Sequence, residues 1–207
     1  MNEKGVWRMV ITISREYGSG GHSIGQQVAK ELGIEFYDRD IIKATVAQSG
    51  LDTEEIERLE EEITKSELFF RMITPAGYMD PHDAVSDIER HVILELAQKG
   101  PCVILGRCAD DIMAKAGIPS LNVFLYADIL HRAARVSQLI GSQNPTEIQR
   151  KIQKTDAARR SFYQEYTGRR WGDSHNYTLS LDSGLLGYDT CVELICAAAR
   201  RGEGFQD

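Results

Sequence analysis

The stretch Val10-Ile-Thr-Ile-Ser-Arg-Glu-Tyr-Gly-Ser-Gly-Gly-His-Ser-Ile-Gly25 begins as a β-branched run and ends inside a helical pattern, with three glycines among residues 18–21 between them. Glycines in such a turn let the backbone fold tightly and bring its N–H groups close to an anion. A helix starting directly behind the turn adds unpaired N–H donors and the positive end of its dipole at the same point. Strand, glycine turn and helix in that order make a cradle for phosphate.

The stretch departs from the phosphate-loop pattern G-x-x-x-x-G-K-[ST] at its lysine. Gly21 stands where the ammonium group belongs, so another residue must supply charge against a polyphosphate, and Arg15 is the nearest candidate. Cradling by main-chain donors survives the substitution. The candidate phosphate-binding set is Arg15, Gly18, Ser19, Gly20, Gly21, His22 and Ser23, with the Ser23 hydroxyl as the candidate magnesium ligand. Two other readings stand beside this one. The first is an ordinary glycine-rich turn. The second is a dinucleotide fingerprint, since Asp38 follows the next strand at about the distance of a ribose-binding acid. Against the second, Ser23 occupies the place of the last glycine in G-x-G-x-x-G.

Composition narrows the class. With 207 residues, 42% of them hydrophobic and 27% charged, the chain has the makings of one soluble domain with a sizeable core. A formal net charge of −7 opposes broad affinity for nucleic acids or membrane surfaces. No apolar run approaches the roughly 20 residues of a membrane span, and residues 1–7 lack the apolar core of a signal peptide. Cys102, Cys108, Cys191 and Cys196 show no paired C-x-x-C spacing, which fits reduced, buried thiols in a cytoplasmic protein.

Strand-like runs at residues 9–13, 34–37, 102–105, 121–126 and 177–181 alternate with helical patterns. Their continuous apolar character suits strands buried on both faces of a parallel sheet, with ligand at the carboxyl ends. Ile24, Val28 and Leu32 mark a helix that Gly33 closes, and Cys191, Val192 and Ile195 mark the last one. Residues 41–99 break the alternation: they read as a helical insertion, with an acidic solvated helix face at 52–65 and a surface turn at 74–81.

Downstream basic residues are the second signal. Arg132 and Arg135 lie three apart on one helical face after the fourth strand, and Asp156 and Arg159 repeat the spacing. Arg107 follows the third strand directly. Guanidinium groups converging on one phosphoryl group would stabilise its transfer, although each of them singly also fits a solvated helix face. Trp171 is either a stacking platform for a base or the anchor of a loop.

These residues together resemble the cytidylate kinase-like family of P-loop nucleoside monophosphate kinases. The resemblance rests on Ile11–Gly25, Phe36-Tyr-Asp-Arg-Asp40, Val103-Ile-Leu-Gly-Arg107, Asp156-Ala-Ala-Arg159 and Thr167-Gly-Arg-Arg-Trp-Gly-Asp-Ser-His-Asn-Tyr177. It implies a three-layer α/β fold: a five-stranded parallel sheet with helices on both faces, a helical acceptor-binding insertion at 41–99 and a lid region at 128–170. It also implies transfer of the γ-phosphoryl group of ATP, with Mg²⁺, to a nucleoside monophosphate such as CMP or dCMP. Residues 18–23 would hold ATP phosphates. Arg132, Arg135, Asp156 and Arg159 would be catalytic, and Asp38, Arg39 and Arg107 would meet the acceptor. Gly21, Cys108 and Asp38-Arg-Asp40 replace the family's lysine, aspartate and Asp-Ser-Gly at their positions. A protein that binds nucleotide without turnover is the alternative that Gly21 suggests.

Overall fold

The computed structural model describes residues 9–38 and 81–202; Arg39, Asp40, the acidic segment expected at 52–65 and the turn expected at 74–81, but for Pro81 at a helix start, lie outside the described residues. Five strands form one parallel sheet: β1 (Val10–Arg15), β2 (Glu35–Tyr37), β3 (Cys102–Leu105), β4 (Ser120–Tyr126) and β5 (Leu179–Asp182). Their order is β2-β3-β1-β4-β5. β1 therefore sits at the centre between β3 and β4, with β2 at one edge. The dinucleotide reading needs the first two strands side by side, and this order removes it.

Period-two alternation of buried side chains builds three layers from the sheet. Ile11, Ile13, Val103, Leu105, Val123 and Leu125 point to one face, against Ile24 and Val28 of α1 (Gly21–Leu32) and Cys191 and Ile195 of the last helix. Val10, Cys102 and Ile104 point to the other, against Val92, Ile93 and Leu96 of α2 (Pro81–Lys99) and Met113 of α3 (Ala109–Lys115). Buried positions on both faces of β1 and an unbroken apolar run in β3 are what a sheet covered on both sides requires. The part of the expected insertion that is described, α2, is helical as its pattern suggested.

After β4 the chain makes a helical hairpin, α4 (Ile129–Ile140) and α5 (Pro145–Thr167). Asp128 caps α4 by accepting from the N–H groups of Leu130 and His131. Gly141 ends it in the left-handed region at φ 65. Asn144 then caps α5, with Pro145 in the first helical turn. Val136, Ile148 and Ile152 pack the hairpin shut, with Tyr17 of the glycine loop against them. A 3₁₀ turn (Ser174–Asn176) leads to β5, and α6 (Ser183–Leu186) and α7 (Tyr188–Gly202) close the chain.

Strand boundaries differ from the sequence reading by one or two residues, and two of the shifts matter. β1 runs to Arg15, which pairs with Leu125, so Arg15 is a strand residue and not part of the turn. β5 starts at Leu179 because Tyr177 is drawn into an aromatic cluster with Phe124, Tyr163 and Trp171 before pairing begins. All four cysteines are free and buried, and no helix among the described residues is long and apolar enough to cross a membrane.

Ile13 is fully buried between β1 and α1. Ile13→Ala should cost about 2–5 kcal/mol through lost transfer energy and a residual cavity, read as a lowered midpoint in urea unfolding with an unchanged slope.

Candidate active site

The carboxyl edge of the sheet gathers the glycine loop after β1, Asp38 after β2 and Gly106-Arg107 after β3. Gly18 (φ 87) and Gly20 (φ 79) hold the loop in the left-handed region, where side chains are strained. Neighbours fill the space a side chain would need. A β-carbon on Gly18 would lie 2.8 Å from the Arg132 carbonyl oxygen, and one on Gly20 would run into the Tyr188 ring. Ser19 is fully buried: its hydroxyl donates to the Glu16 carbonyl (2.9 Å), and its own carbonyl accepts from Ser183 Oγ (2.7 Å).

Gly20 caps α1 without a side chain, and no acidic residue stands in the first turn. Ile24 is the first residue to donate to a loop carbonyl, that of Gly20. The N–H groups of Gly21, His22 and Ser23 accordingly have no acceptor within the helix. His22 packs edge-on against Phe36 with ring centroids 5.3 Å apart, and its Nε2 stands 3.7 Å from Asp38 Oδ2.

The hairpin braces this loop from behind. Asp156 accepts from the Tyr17 N–H (2.7 Å) with one oxygen and from Arg132 Nη1 with the other. The pair is buried, with side-chain exposures of 11% for Arg132 and 9% for Asp156. Arg132 Nε also stands 3.5 Å from Glu16 Oε2. Burial raises the pKa of the Glu16 carboxyl while Arg132 pulls it down. One turn along α5, Arg159 donates to the Arg15 carbonyl (2.9 Å) and lies over the Tyr17 ring at 5.6 Å. Arg135 turns to Gln138 of its own helix (3.5 Å).

At β3 the backbone takes three successive positive-φ residues, Gly106 (80), Arg107 (57) and Cys108 (52). Arg107 is held by the buried Glu89 of α2 at 3.1 Å. Asp110 accepts from the Tyr163 hydroxyl, tying α3 to α5. Trp171 is buried edge-on against Phe124 at 5.3 Å, which makes it a loop anchor.

Arg15, Arg107 and Arg159 thus come near one another at the loop, while Arg132 and Asp156 pair with each other in its wall. Arg39 lies outside the described residues. Glu16, Tyr17, Glu89, Ser183 and Tyr188 also shape the site, and the sequence reading passed over them. Among these, Asp182-Ser183-Gly184 carries a helix-capping signal, since Asp182 accepts from Gly184 and Leu185; nothing local marks Tyr188 as a neighbour of Gly20. What results is a set of unsatisfied N–H donors beside three guanidinium groups, which is chemistry for binding and stabilising a phosphoryl group.

Removing one partner of the buried pair leaves the other charge stranded. Asp156→Ala should cost about 3–5 kcal/mol, and the Arg132→Met/Asp156→Leu double variant appreciably less, as urea unfolding would measure. Burial also raises the pKa of Asp110. The native state then holds that proton more tightly than the unfolded chain, so stability falls as pH climbs from the ordinary aspartate range through the raised value. Asp110→Asn keeps an acceptor for Tyr163 and should flatten this slope when urea midpoints are compared between about pH 4 and about pH 8.

Among solved structures, the chain is similar to an uncharacterized protein from Eubacterium ventriosum ATCC 27560 (22% identity, 93% of this chain and 98% of that one, TM-score 0.68). It is also similar to a gluconokinase from Sinorhizobium meliloti 1021 (15%, 98% and 99%, 0.57). A shikimate kinase from Bacteroides thetaiotaomicron aligns as well (14%, 95% and 99%, 0.53). At such identities the likeness is one of fold. A comparison with curated protein sequences found no match. The family model described as "Cytidylate kinase-like family" matches residues 10–185, from the start of β1 through the turn after β5. That span includes the glycine loop, the β3 corner and the bracing hairpin, and the chain belongs to the cytidylate kinase-like family.

Proposed function

We propose that this protein is an ATP- and Mg²⁺-dependent phosphotransferase acting on a small acceptor, with a nucleoside monophosphate such as CMP or dCMP as the leading class. The observation that carries the reading is the row of unpaired N–H groups at Gly21, His22 and Ser23 beside Arg15, Arg107 and Arg159. Arg15 and Arg159 both have their pKa lowered, chiefly by burial. Cations gathered at this edge favour an anionic ligand.

The residues fit a nucleotide's phosphate chain: Gly18, Gly20 and Gly21 add no side chains at the turn, and the first N–H donors of α1 have no acceptor in their own helix. Amides of residues 20–23 would grip the phosphates, and the Ser23 hydroxyl in the first turn of α1 is the proposed magnesium ligand. Mg²⁺, when bound there, would offset the charge of the phosphates. Arg159 and Arg135 are the proposed contacts to the transferring group. Arg132 and Asp156 act by holding the loop in position. Arg107, Asp38 and Arg39 would orient the acceptor, with the 41–99 insertion covering it and the 128–170 region serving as lid. Catalysis is then positioning and charge neutralisation without a covalent intermediate. The four free, buried thiols suit the reducing cytoplasm proposed as its location.

Neighbours of the same fold carry the names shikimate kinase and gluconokinase, so the acceptor screen should span hydroxy acids as well as CMP, dCMP and UMP. Coupled ADP release from purified protein should depend on one acceptor class; silence across the whole panel overturns the reading. Arg159→Ala should lower turnover by about a hundredfold or more while weakening ATP binding only modestly. A second reading, nucleotide binding without turnover, is favoured by Gly21 alone. Tight ATP binding with no phosphoryl transfer to any acceptor would select it.

A further inference from the structure

Relative to G-x-x-x-x-G-K-[ST], two positions of the loop have traded residue types. Counted back from Gly20, the pattern's first glycine falls on Arg15, and its lysine falls on Gly21. In the folded protein these two positions touch. A β-carbon at Gly21 would lie 2.6 Å from Arg15 Cγ and 2.8 Å from Arg15 Cβ, so the stem of Arg15 covers the first residue of α1. Further out, a β-carbon at Gly106 would collide with Arg15 Nη1. Two glycines from separate elements floor the path of one guanidinium.

We infer that the phosphate-binding cation of this loop has moved from the helix to the strand: the Arg15 guanidinium, laid across Gly21, neutralises the terminal phosphates of a bound nucleoside triphosphate. This deepens the proposed function and rests on it.

Three features support the transfer. Arg15 is fixed at its root, since its residue pairs with Leu125 in the sheet and its carbonyl accepts from Arg159. A side chain confined by two glycine floors loses little further freedom on binding. Its charge is also poorly answered. Arg107 has Glu89 at 3.1 Å and Arg132 has Asp156, whereas the nearest carboxylate to Arg15 among the described residues, Asp38, stands 4.0 Å away. Lastly, Arg159 and Arg107 both act to repel it, and burial adds to the tension. A guanidinium keeps its proton, so an anion and not deprotonation relieves that tension. A mere strut between β1 and Asp38 would not need like charges around it or glycine at both contacts.

The arrangement makes a lysine at residue 21 and an arginine at residue 15 mutually exclusive, and this gives the test. Calorimetry with Mg·ATP and with adenosine should be run on the full chain and on Arg15→Met, Arg15→Lys, Gly21→Lys and the Arg15→Gly/Gly21→Lys double variant, each checked for folding by circular dichroism. Arg15→Met should weaken ATP binding about tenfold to a hundredfold, the worth of a charge-assisted hydrogen bond, and leave adenosine binding unchanged. Arg15→Lys should recover part of the loss. Gly21→Lys alone should lower the melting temperature or abolish ATP binding, and the double variant should restore ATP affinity to within about tenfold of the parent. If the parent binds ATP and Arg15→Met binds it equally well, or the double variant is no better than Gly21→Lys, the inference falls alone. If the parent binds no ATP, the proposed function itself falls and takes the inference with it.

Discussion

The buried pair of Arg132 and Asp156 is the contact on which the site's geometry depends. Asp156 reaches from the middle of α5 to the Tyr17 N–H, and Arg132 reaches from α4 to the same carboxylate. Glycines contribute no side chains of their own, so the loop is fixed from outside, by this pair and by Ser183 and Tyr188 behind Ser19 and Gly20. Desolvating two charges is expensive, and a hydrophobic replacement often matches such a pair in stability. Its value here lies in position: a carboxylate with two directed partners sets the path of residues 16 and 17, and Gly18 and Gly20 then follow in conformations their lack of a β-carbon permits.

The strand pattern was readable in the sequence because both faces of the central strands are covered, so β3 is apolar throughout and β1 opens on Val10, Ile11 and Ile13. Gly33 was readable as a helix end, and its φ of 66 with N–H bonds to Ala29 and Lys30 shows why. Boundaries were less legible. Arg15 looks like a turn residue beside Glu16 and Tyr17, but pairing with Leu125 keeps it in the strand. Only the neighbouring strand supplies that information. Trp171 presented two readings, with the loop anchor favoured, and its burial against Phe124 agrees with the anchor.

Site residues followed the same division. Arg107 and Arg159 could be named because each sits at a predictable offset from a strand end or along a helix face. The pairing of Arg132 with Asp156, the Glu89 partner of Arg107 and the Tyr188 backing of Gly20 depend on how distant elements pack, and no local spacing encodes them. The acceptor is less legible still. Proteins of this fold carry the different names gluconokinase and shikimate kinase, so the fold alone leaves the acceptor open.

Tyr188 and Ser183 have a further consequence for how the molecule comes into being. Both stand near the far end of the chain, yet one supports Gly20 and the other grips the Ser19 carbonyl. During synthesis the turn after β1 emerges before these supports, which follow it by more than 160 residues. A nascent or truncated chain ending before residue 183 would carry the loop sequence complete and its scaffolding absent. The shape of the loop is thereby tied to synthesis of the chain through residue 188.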